Sequence, residues 1–419
     1  MLLATIGILQ SSDIQKKTRG EIERMTSQPE LKYLKTKKKS NSISGVIMFF
    51  LLVIAVLTMA FAVYLKSIGY DFTNFSINGS IEYAKTNARR SVNTTASQIS
   101  FSQDGTVDCK VYRGNIIVLS RDGVKWYDKR GKLLQEKALT MTRPVLRSSK
   151  KYMAIVDISG RDVYFFKDQT QLWTRKLDNQ IINAEVSDEG YLTVVTQSKE
   201  FKSAVLVIDV NGVDKYKKFC AEDIVLSAMS LNDGDHVLIN KIVTNGIKAG
   251  TQFEFNNIYE EKPFATLGVA ENVFPVLQQL GENTAAIGHN LILLMDKQGK
   301  ILWRKNAETI YCVAPNSSKY IIVAGKFGDS TGSVSQKVLV LNSKGEGVYS
   351  FEQPENISGI SQYGNRLALR TQRSIYLYSL EGKKLGHYIA KNEIKDVFLT
   401  GNNEAIVITG GNISLVEIK

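Results

Sequence analysis

A four-residue turn motif, Asp/Asn/Ser-x-x-Gly, recurs along most of this 419-residue chain between short apolar runs. The first residue of the motif can accept hydrogen bonds from its own backbone, and glycine supplies the positive φ of a tight hairpin. The copies are Asp128 with Gly131, Asp209 with Gly212, Asp296 with Gly299, Asn342 with Gly345, and Ser379 with Gly382. With two degenerate copies counted, their spacing averages about 42 residues, the period of four-stranded propeller blades.

Two further units keep the register of the repeat with an altered turn. Between Phe166 and Trp173 the turn lacks glycine, although Leu172-Trp173 retains the apolar pair that begins the next strand. Between Phe253 and Tyr259 the motif is lost, and Asn256-Asn257 is predicted to replace it. The motif Ser187-Asp188-Glu189-Gly190 and its counterparts upstream in other units predict the turn between the innermost strand and the next.

Short runs rich in β-branched and aromatic residues extend from about residue 104 to the C-terminus, with few prolines and no long helical period between them. This pattern predicts many antiparallel strands and excludes alternating strands and helices. The predicted units are 104–142, 143–180, 181–223, 224–271, 272–308, 309–355 and 356–393, followed by three more strands. We therefore predict an all-β, eight-bladed propeller whose ring is closed by an N-terminal strand near Gln98 to Ser102, with seven blades as the alternative.

A separate constraint comes from Val46 to Leu65, twenty residues without a charged side chain. A helix of this length measures about 30 Å and matches the hydrocarbon core of a bilayer. Five lysines precede it between Leu31 and Lys39, whereas Lys66 alone follows closely. The positive-inside rule then predicts a single-pass type II membrane protein with a cytoplasmic N-terminus and an extracellular C-terminal domain. A cleaved signal peptide is the less favoured alternative, because its apolar core is shorter.

The predicted organisation has four parts. They are a basic cytoplasmic head at 1–45, the transmembrane helix at 46–65, a juxtamembrane stalk with the possible closing strand at 66–103, and the propeller at 104–419. Met1 and Met25 are both candidate translation starts. The head carries nine Lys/Arg and four Asp/Glu of a chain whose net charge is +12, so the remainder is mildly basic. No basic run interleaved with aromatic residues occurs after residue 66. We therefore do not expect the protein to bind nucleic acid.

Residues able to support catalysis or metal binding are sparse. The three cysteines, Cys109, Cys220 and Cys312, form no C-x-x-C pair, and a disulfide involving Cys220 is the less favoured alternative to free thiols. The three histidines, His236, His289 and His387, fall in different units, and for His236, in a predicted surface turn, solvation is favoured over a metal site. No nucleophile elbow, zincin motif or phosphate loop is present. We expect no cofactor and no enzymatic activity, and packing between blades for Trp126, Trp173 and Trp303.

The strand-Asp-x-x-Gly-x-x-Leu-Trp pattern resembles PQQ-like (quinoprotein-like) and WD40-like propellers over about three quarters of the chain. With one N-terminal anchor, the whole chain resembles a family of single-pass membrane propeller proteins of low-GC Gram-positive bacteria. In blade style it is also similar to the lipoprotein propeller that acts as a scaffold in outer-membrane protein assembly. The quinoprotein family typically carries adjacent cysteines beside its cofactor, and this sequence has none. Such motifs specify architecture rather than function.

The favoured interpretation is a binding scaffold in the cell envelope, whose partners are the membrane and either envelope proteins or anionic wall polymers. Two insertions, Ile242 to Phe253 and Lys326 to Gln336, lengthen two units and suggest a binding rim. The candidate binding residues in these loops are Lys248, Lys326, Asp329 and Ser330. The alternatives are an envelope hydrolase or lyase with carboxylates in the channel, and a sensor of an extracellular ligand.

Overall fold

The computed structural model describes residues 43–67, 77, 95–100, 108–231, 233–315, 319–328, 334–352 and 357–419. The chain divides into two compact units, Met1–Phe75 and Ser76–Lys419. The first unit contains helix α1 (Ile43–Ser67), whose apolar side chains between Ile47 and Val63 are mostly exposed. Among the residues described together with their side chains, no helix meets the length and hydropathy needed to cross a membrane.

The second unit is an eight-bladed β-propeller, which confirms the predicted all-β fold and the favoured blade count. Every blade is a four-stranded antiparallel sheet, and in blades 1 to 7 the strands follow chain order from the innermost outward. Blades 1 to 3 comprise β2 (Asp108–Tyr112), β3 (Asn115–Ser120), β4 (Gly123–Tyr127), β5 (Leu133–Ala138); β6 (Pro144–Ser148), β7 (Tyr152–Asp157), β8 (Asp162–Lys167), β9 (Thr170–Lys176); β10 (Gln180–Val186), β11 (Leu192–Gln197), β12 (Ser203–Ile208) and β13 (Asp214–Cys220).

The next four blades follow the same order. They comprise β14 (Ile224–Ser230), β15 (His236–Asn245), β16 (Lys248–Asn257), β17 (Ala265–Val269); β18 (Val276–Leu280), β19 (Asn283–Ile287), β20 (Leu291–Met295), β21 (Ile301–Asn306); β22 (Thr309–Val313), β23 (Ile321–Gly328), β24 (Val334–Leu341), β25 (Gly347–Glu352); β26 (Gly359–Tyr363), β27 (Arg366–Arg370), β28 (Ser374–Ser379) and β29 (Lys384–Ile389).

Blade 8 joins the two ends of the propeller. Its first three strands are β30 (Ile394–Leu399), β31 (Glu404–Thr409) and β32 (Asn412–Glu417), and its outer strand is β1 (Thr95–Ser100). In the antiparallel β1–β32 pair, Ile99 lies opposite Ile413. This closure leaves no gap in the ring, as predicted. The strand begins three residues earlier than Gln98, and residues 101 and 102 of the predicted strand lie outside the described residues.

The core is a ring rather than a single centre. Among the described residues, buried apolar side chains form eight clusters, and each cluster joins two neighbouring blades. Because both faces of each blade are covered, central strands such as β12 are buried along their whole length. This explains why the sequence shows continuous apolar runs where a one-sided sheet would show alternation.

The recurring turn connects the third and fourth strands of a blade. Oδ1 of Asp296 accepts hydrogen bonds from the amides of Gln298 and Lys300 at 3.0 and 2.8 Å, and Gly299 has a φ of +81°. The Asp128, Asp209 and Asn342 turns have the same pattern. In the Ser379 turn, Oγ accepts from the Lys383 amide at 3.3 Å, and Gly382 also has a positive φ.

These turns also connect one blade to the next. Nε1 of Trp173 in blade 2 donates to the carbonyl of Val210 in the blade 3 turn at 3.1 Å, beside Gly212. Trp303 makes the equivalent bond to Ser343 at 3.1 Å. Trp126 differs, because it lies on the third strand of blade 1 and is completely buried. Its ring lies 5.5 Å from that of Phe166 in blade 2, so packing between blades accounts for all three tryptophans, as predicted.

The two units that lack the turn motif connect their third and fourth strands in different ways. In blade 2, Asp168 takes the positive φ that glycine supplies elsewhere, at +55°. In blade 4, the connection after β16 spans residues 258–264, and the Asn257 side chain accepts from the amide of Tyr259 at 2.9 Å. Asn256 lies within β16 and is fully buried, so the expectation that the Asn256-Asn257 pair forms the turn is wrong for Asn256.

Candidate functional site

Two unusually long hairpins lie on one face of the propeller. Because the strands are antiparallel, the hairpins that join the second and third strands of each blade lie at the same end of the channel as the connections between blades. We call this end of the propeller the hairpin face. In blade 4, β15 and β16 have ten residues each, and in blade 6, β23 and β24 have eight each. The corresponding strands of the other blades have five or six residues. Both sequence insertions therefore fall in hairpins of this face, and residues 329–333 of the second lie outside the described residues.

The blade 4 hairpin ends in an exposed apolar residue. Ile247 is fully exposed and follows Gly246, whose φ is +64°. The candidate Lys248 begins β16, and its ammonium pairs with Glu271 at 2.5 Å while both side chains remain more than half exposed. The candidate Lys326 is a half-buried residue of β23, opposite Gln336. The candidates Asp329 and Ser330 lie outside the described residues.

The base of this hairpin contains a buried ionic network that the sequence did not reveal. Nζ of Lys241 lies 2.6 Å from Glu254 Oε1 and 2.8 Å from Asp223 Oδ2. Nζ of Lys218, on the outer strand of blade 3, lies 2.9 Å from the other oxygen of Glu254 and 2.8 Å from Asn256 Oδ1. The Lys241 and Glu254 side chains are 6% and 8% exposed. The network therefore fixes the hairpin to the neighbouring blade.

The Lys241 ammonium is stabilised in its charged form. Burial lowers the pKa of Lys241, but the hydrogen bonds and charges of Asp223 and Glu254 outweigh that effect and hold the pKa above its ordinary value. Because the folded-state pKa is raised, this stabilisation is fully present below the pKa of the unfolded chain and is lost as the pH rises through the folded-state value. The network is therefore intact at neutral pH.

An apolar patch adjoins the same hairpin. Phe219 near the end of β13 and Ile224 at the start of β14 are 57% and 53% exposed. The rings of Phe201, in the β11–β12 hairpin, and Phe219 pack edge to face with their centroids 5.1 Å apart. Ile224 pairs with Ile242 of the long hairpin. We call Phe201, Phe219, Ile224 and Ile247 the apolar rim. Exposed apolar groups of this kind mark interaction surfaces when they are contiguous.

The central channel forms a cavity of about 1210 Å³ lined by the inner strands of blades 1 to 6. Lys110, Arg147 and Glu185 contribute charges from blades 1, 2 and 3. On the wall formed by blades 4 to 6, the lining includes Leu226, Met229, Val276, Tyr311 and Val313. The cavity therefore has one charged wall and one largely apolar wall.

The charges of this cavity are unevenly compensated. Arg147 Nε donates to the carbonyl of Ala184 at 2.9 Å and lies 3.7 Å from Glu185 Oε1. Burial within the ring lowers the pKa of Lys110 and raises that of Glu185, although half of the Glu185 side chain is exposed to the channel. Burial likewise raises the pKa of Asp396 on blade 8, which is outside the cavity lining but whose charge acts on Lys110. Each shift is toward the neutral form, as expected for charges removed from bulk water.

The residues considered for metal or thiol chemistry do not converge. Cys109 and Cys220 are buried, Cys312 is half-buried, and all three are free. Burial raises the pKa of Cys312 to about 12, which suppresses the reactive thiolate. His236 Nδ1 lies 2.7 Å from Asp233 Oδ2 in the turn before β15. Within the part of the chain that the structure describes, no three metal-binding side chains cluster.

Comparison with solved structures gives the fold alone. BamB from Moraxella catarrhalis is 14% identical with a TM-score of 0.50, covering 78% of this chain and 98% of that one. The computationally designed Ika8 protein is 12% identical with a TM-score of 0.57, covering 77% and 99%. The C-terminal WD40 domain of Sif2 is 11% identical with a TM-score of 0.57, covering 78% and 99%.

Comparison of sequences gives a family. No curated protein matches this chain. A family model described as a family of unknown function, DUF5711, matches residues 86–418. That match covers the described propeller from its closing strand β1 to its last strand β32. The chain therefore belongs to the DUF5711 family.

Proposed function

We propose that this protein is a membrane-anchored extracytoplasmic scaffold that binds another protein of the cell envelope through the hairpin face. The anchor is α1: the uncharged stretch Val46 to Leu65 supports a single span, and the lysines that precede it support a cytoplasmic N-terminus. The exposed apolar side chains of α1 add support, since such a surface is costly in water. The resemblance to single-pass propeller proteins of low-GC Gram-positive bacteria supports the same location.

The observation that carries the binding proposal is the exposed Ile247 at the end of a hairpin with a fixed base. The Lys241–Glu254–Lys218 network holds the base of the hairpin against blade 3 and so fixes the direction in which the hairpin extends. Preorganised surfaces lose less entropy on binding than flexible ones. The apolar rim, to which Ile247 belongs, favours a protein partner over an anionic wall polymer, because protein interfaces bury apolar and aromatic anchors.

The rival envelope hydrolase or lyase requires carboxylates free to act in the channel. Of the carboxylates that line the cavity, Asp188 pairs with Lys150 at 2.8 Å and Glu185 lies beside Arg147. His289 also lines the cavity, but from blade 5, whereas both carboxylates belong to blade 3. A general acid or base must lie within hydrogen-bond reach of the proton that it transfers, whereas each of these carboxylates is turned to a neighbouring cation. This arrangement supports the binding scaffold.

The proposal predicts a partner that depends on the blade 4 hairpin. Intact cells are treated with a membrane-impermeant amine-reactive crosslinker, and the full-length protein is recovered and identified together with its adducts by mass spectrometry. In the test variant, residues 244–249 are replaced by Asn-Gly, which joins the paired residues Val243 and Gly250 by a two-residue turn. We expect an envelope protein to be recovered with the wild type and at least tenfold less of it with the variant.

The matched control is Tyr259→Ser. Tyr259 is 77% exposed in the same blade, but it lies in the connection between the third and fourth strands, on the opposite face. This variant is expected to recover the partner at the wild-type level. Equal recovery with the shortened hairpin, or adducts that appear after lysis alone, would contradict the proposed surface or the proposed location.

A further inference from the structure

The central cavity has the features of a site for a particular class of small ligand. Its lining contains four cationic side chains, Lys110, Arg113, Arg147 and Lys150, and two carboxylates, Glu185 and Asp188. Arg113 pairs with Asp168 at 2.7 Å, and Lys150 pairs with Asp188 at 2.8 Å. The cations that remain are Lys110 and Arg147, on the inner strands of blades 1 and 2, with Glu185 of blade 3 beside Arg147.

Lys110 is the least compensated of these cations. It lies on β2 and forms no ion pair within 4.0 Å with any residue that the structure describes. The nearby Asp108 is a weaker partner for the Lys110 ammonium, because its Oδ2 already accepts a hydrogen bond from the amide of Leu146 at 2.8 Å. Burial is the largest cause of the lowered pKa of Lys110, and the charges of Asp108, Glu185 and Asp396 oppose it only in part.

Arg147 on the adjacent blade has unused donors. Its Nε is occupied by the carbonyl of Ala184, and Glu185 is 3.7 Å from the same atom. Its two terminal amino groups make no hydrogen bond to any residue that the structure describes. A guanidinium edge with free donors is suited to a carboxylate, which it can bind through two parallel hydrogen bonds.

We propose that the cavity binds a carboxylate that carries an apolar group, with Lys110 and Arg147 holding the carboxylate and the wall of blades 4 to 6 holding the apolar group. The apolar wall includes Leu226, Val276 and Tyr311. The volume of about 1210 Å³ exceeds that of a typical site for a small molecule and admits the end of a peptide. A peptide C-terminus and a free organic acid share this chemistry. The proposal concerns the channel and is independent of the hairpin face.

The test uses the full-length protein in detergent and isothermal titration calorimetry. The probes are N-acetyl-Ala-Ala-Leu with a free carboxylate, the same peptide as its C-terminal amide, and 4-methylpentanoate, which has the same apolar group. We expect the free acid to bind at least tenfold more tightly than the amide, because charge-assisted hydrogen bonds are lost in the amide. Tighter binding of the peptide acid than of 4-methylpentanoate assigns a peptide end, and equal binding assigns a free acid.

Three variants locate the site. Lys110→Met is expected to weaken binding of the acid at least tenfold and to fold normally, since it removes a buried charge that has no ion-pair partner within 4.0 Å in the described residues. Lys110→Arg keeps the charge and is expected to retain binding within threefold. Lys305→Met removes an exposed lysine from the outer strand of blade 5, outside the cavity lining, and is expected to bind like the wild type. Equal binding of acid and amide, an unchanged affinity in Lys110→Met, or no binding of either acid overturns the proposal.

Discussion

Replacing Glu254 by glutamine is expected to lower the free energy of unfolding by about 3–5 kcal/mol. Glu254 is the shared partner of Lys218 and Lys241, and all three side chains are less than one fifth exposed. The substitution keeps the shape of the side chain but removes the charge that compensates two ammonium groups. Breaking a buried pair is costly because the remaining charge cannot regain its hydration. Urea unfolding of the full-length protein in detergent measures the effect.

The matched control is Glu136→Gln. Glu136 Oε1 lies 3.0 Å from Lys125 Nζ, a distance similar to that in the buried network, but both side chains are about half exposed. Exposed pairs of this kind contribute about 0–1 kcal/mol, so the control is expected to unfold close to the wild type. If both variants lose the same stability, burial is not the source of the network's strength.

The second large effect is expected at Gly299, in the turn after Asp296. Gly299→Ala should lower the free energy of unfolding by about 3–4 kcal/mol, from an unfavourable positive φ and a steric clash. The φ of Gly299 is +81°, and a Cβ there would lie 2.9 Å from the ring of Phe255 in the preceding blade. Phe255 is fully buried in the cluster of apolar side chains that joins blades 4 and 5. The same urea experiment measures this loss.

Gly114→Ala separates the two contributions. Gly114 has the same φ of +81°, in the turn between β2 and β3, but a Cβ there would have no atom within 4 Å. This variant should therefore show the backbone effect alone, about 1–2 kcal/mol. A loss at Gly299 no larger than at Gly114 would mean that the turn glycines are needed for their backbone and not for contact between blades.

The propeller could be predicted because its information is local and repeated. A turn such as Asp296 to Gly299 specifies a hairpin through bonds within five residues, and its recurrence gives the period and the strand number. Closure of the ring was predictable because the chain from Ile394 onward provides three strands, and a complete blade needs a fourth. The position of β1 was three residues off, because TASQIS has little apolar pattern to fix its register.

The candidate sites were harder to predict because they depend on contacts between blades. Lys218 and Glu254 are 36 residues apart, and their pairing depends on the register of two strands and the packing of two blades. Charged residues in strands are ordinarily predicted to be solvated, so burial of Lys241 and Glu254 gave no signal in the sequence. The insertions were visible by their length, whereas the exposed Ile247 was not singled out among apolar residues of the same segment.

The role of the hairpin face is tested most directly by site-specific photocrosslinking in intact cells. A photoreactive phenylalanine analogue is placed at position 247, and in a separate strain at position 259 on the opposite face of the same blade. Both native side chains are more than three quarters exposed, so accessibility does not distinguish the two positions. We predict a discrete adduct with an envelope protein from position 247 and none of that mass from position 259. Equal adducts at both positions, or none at position 247, would contradict binding through the hairpin face.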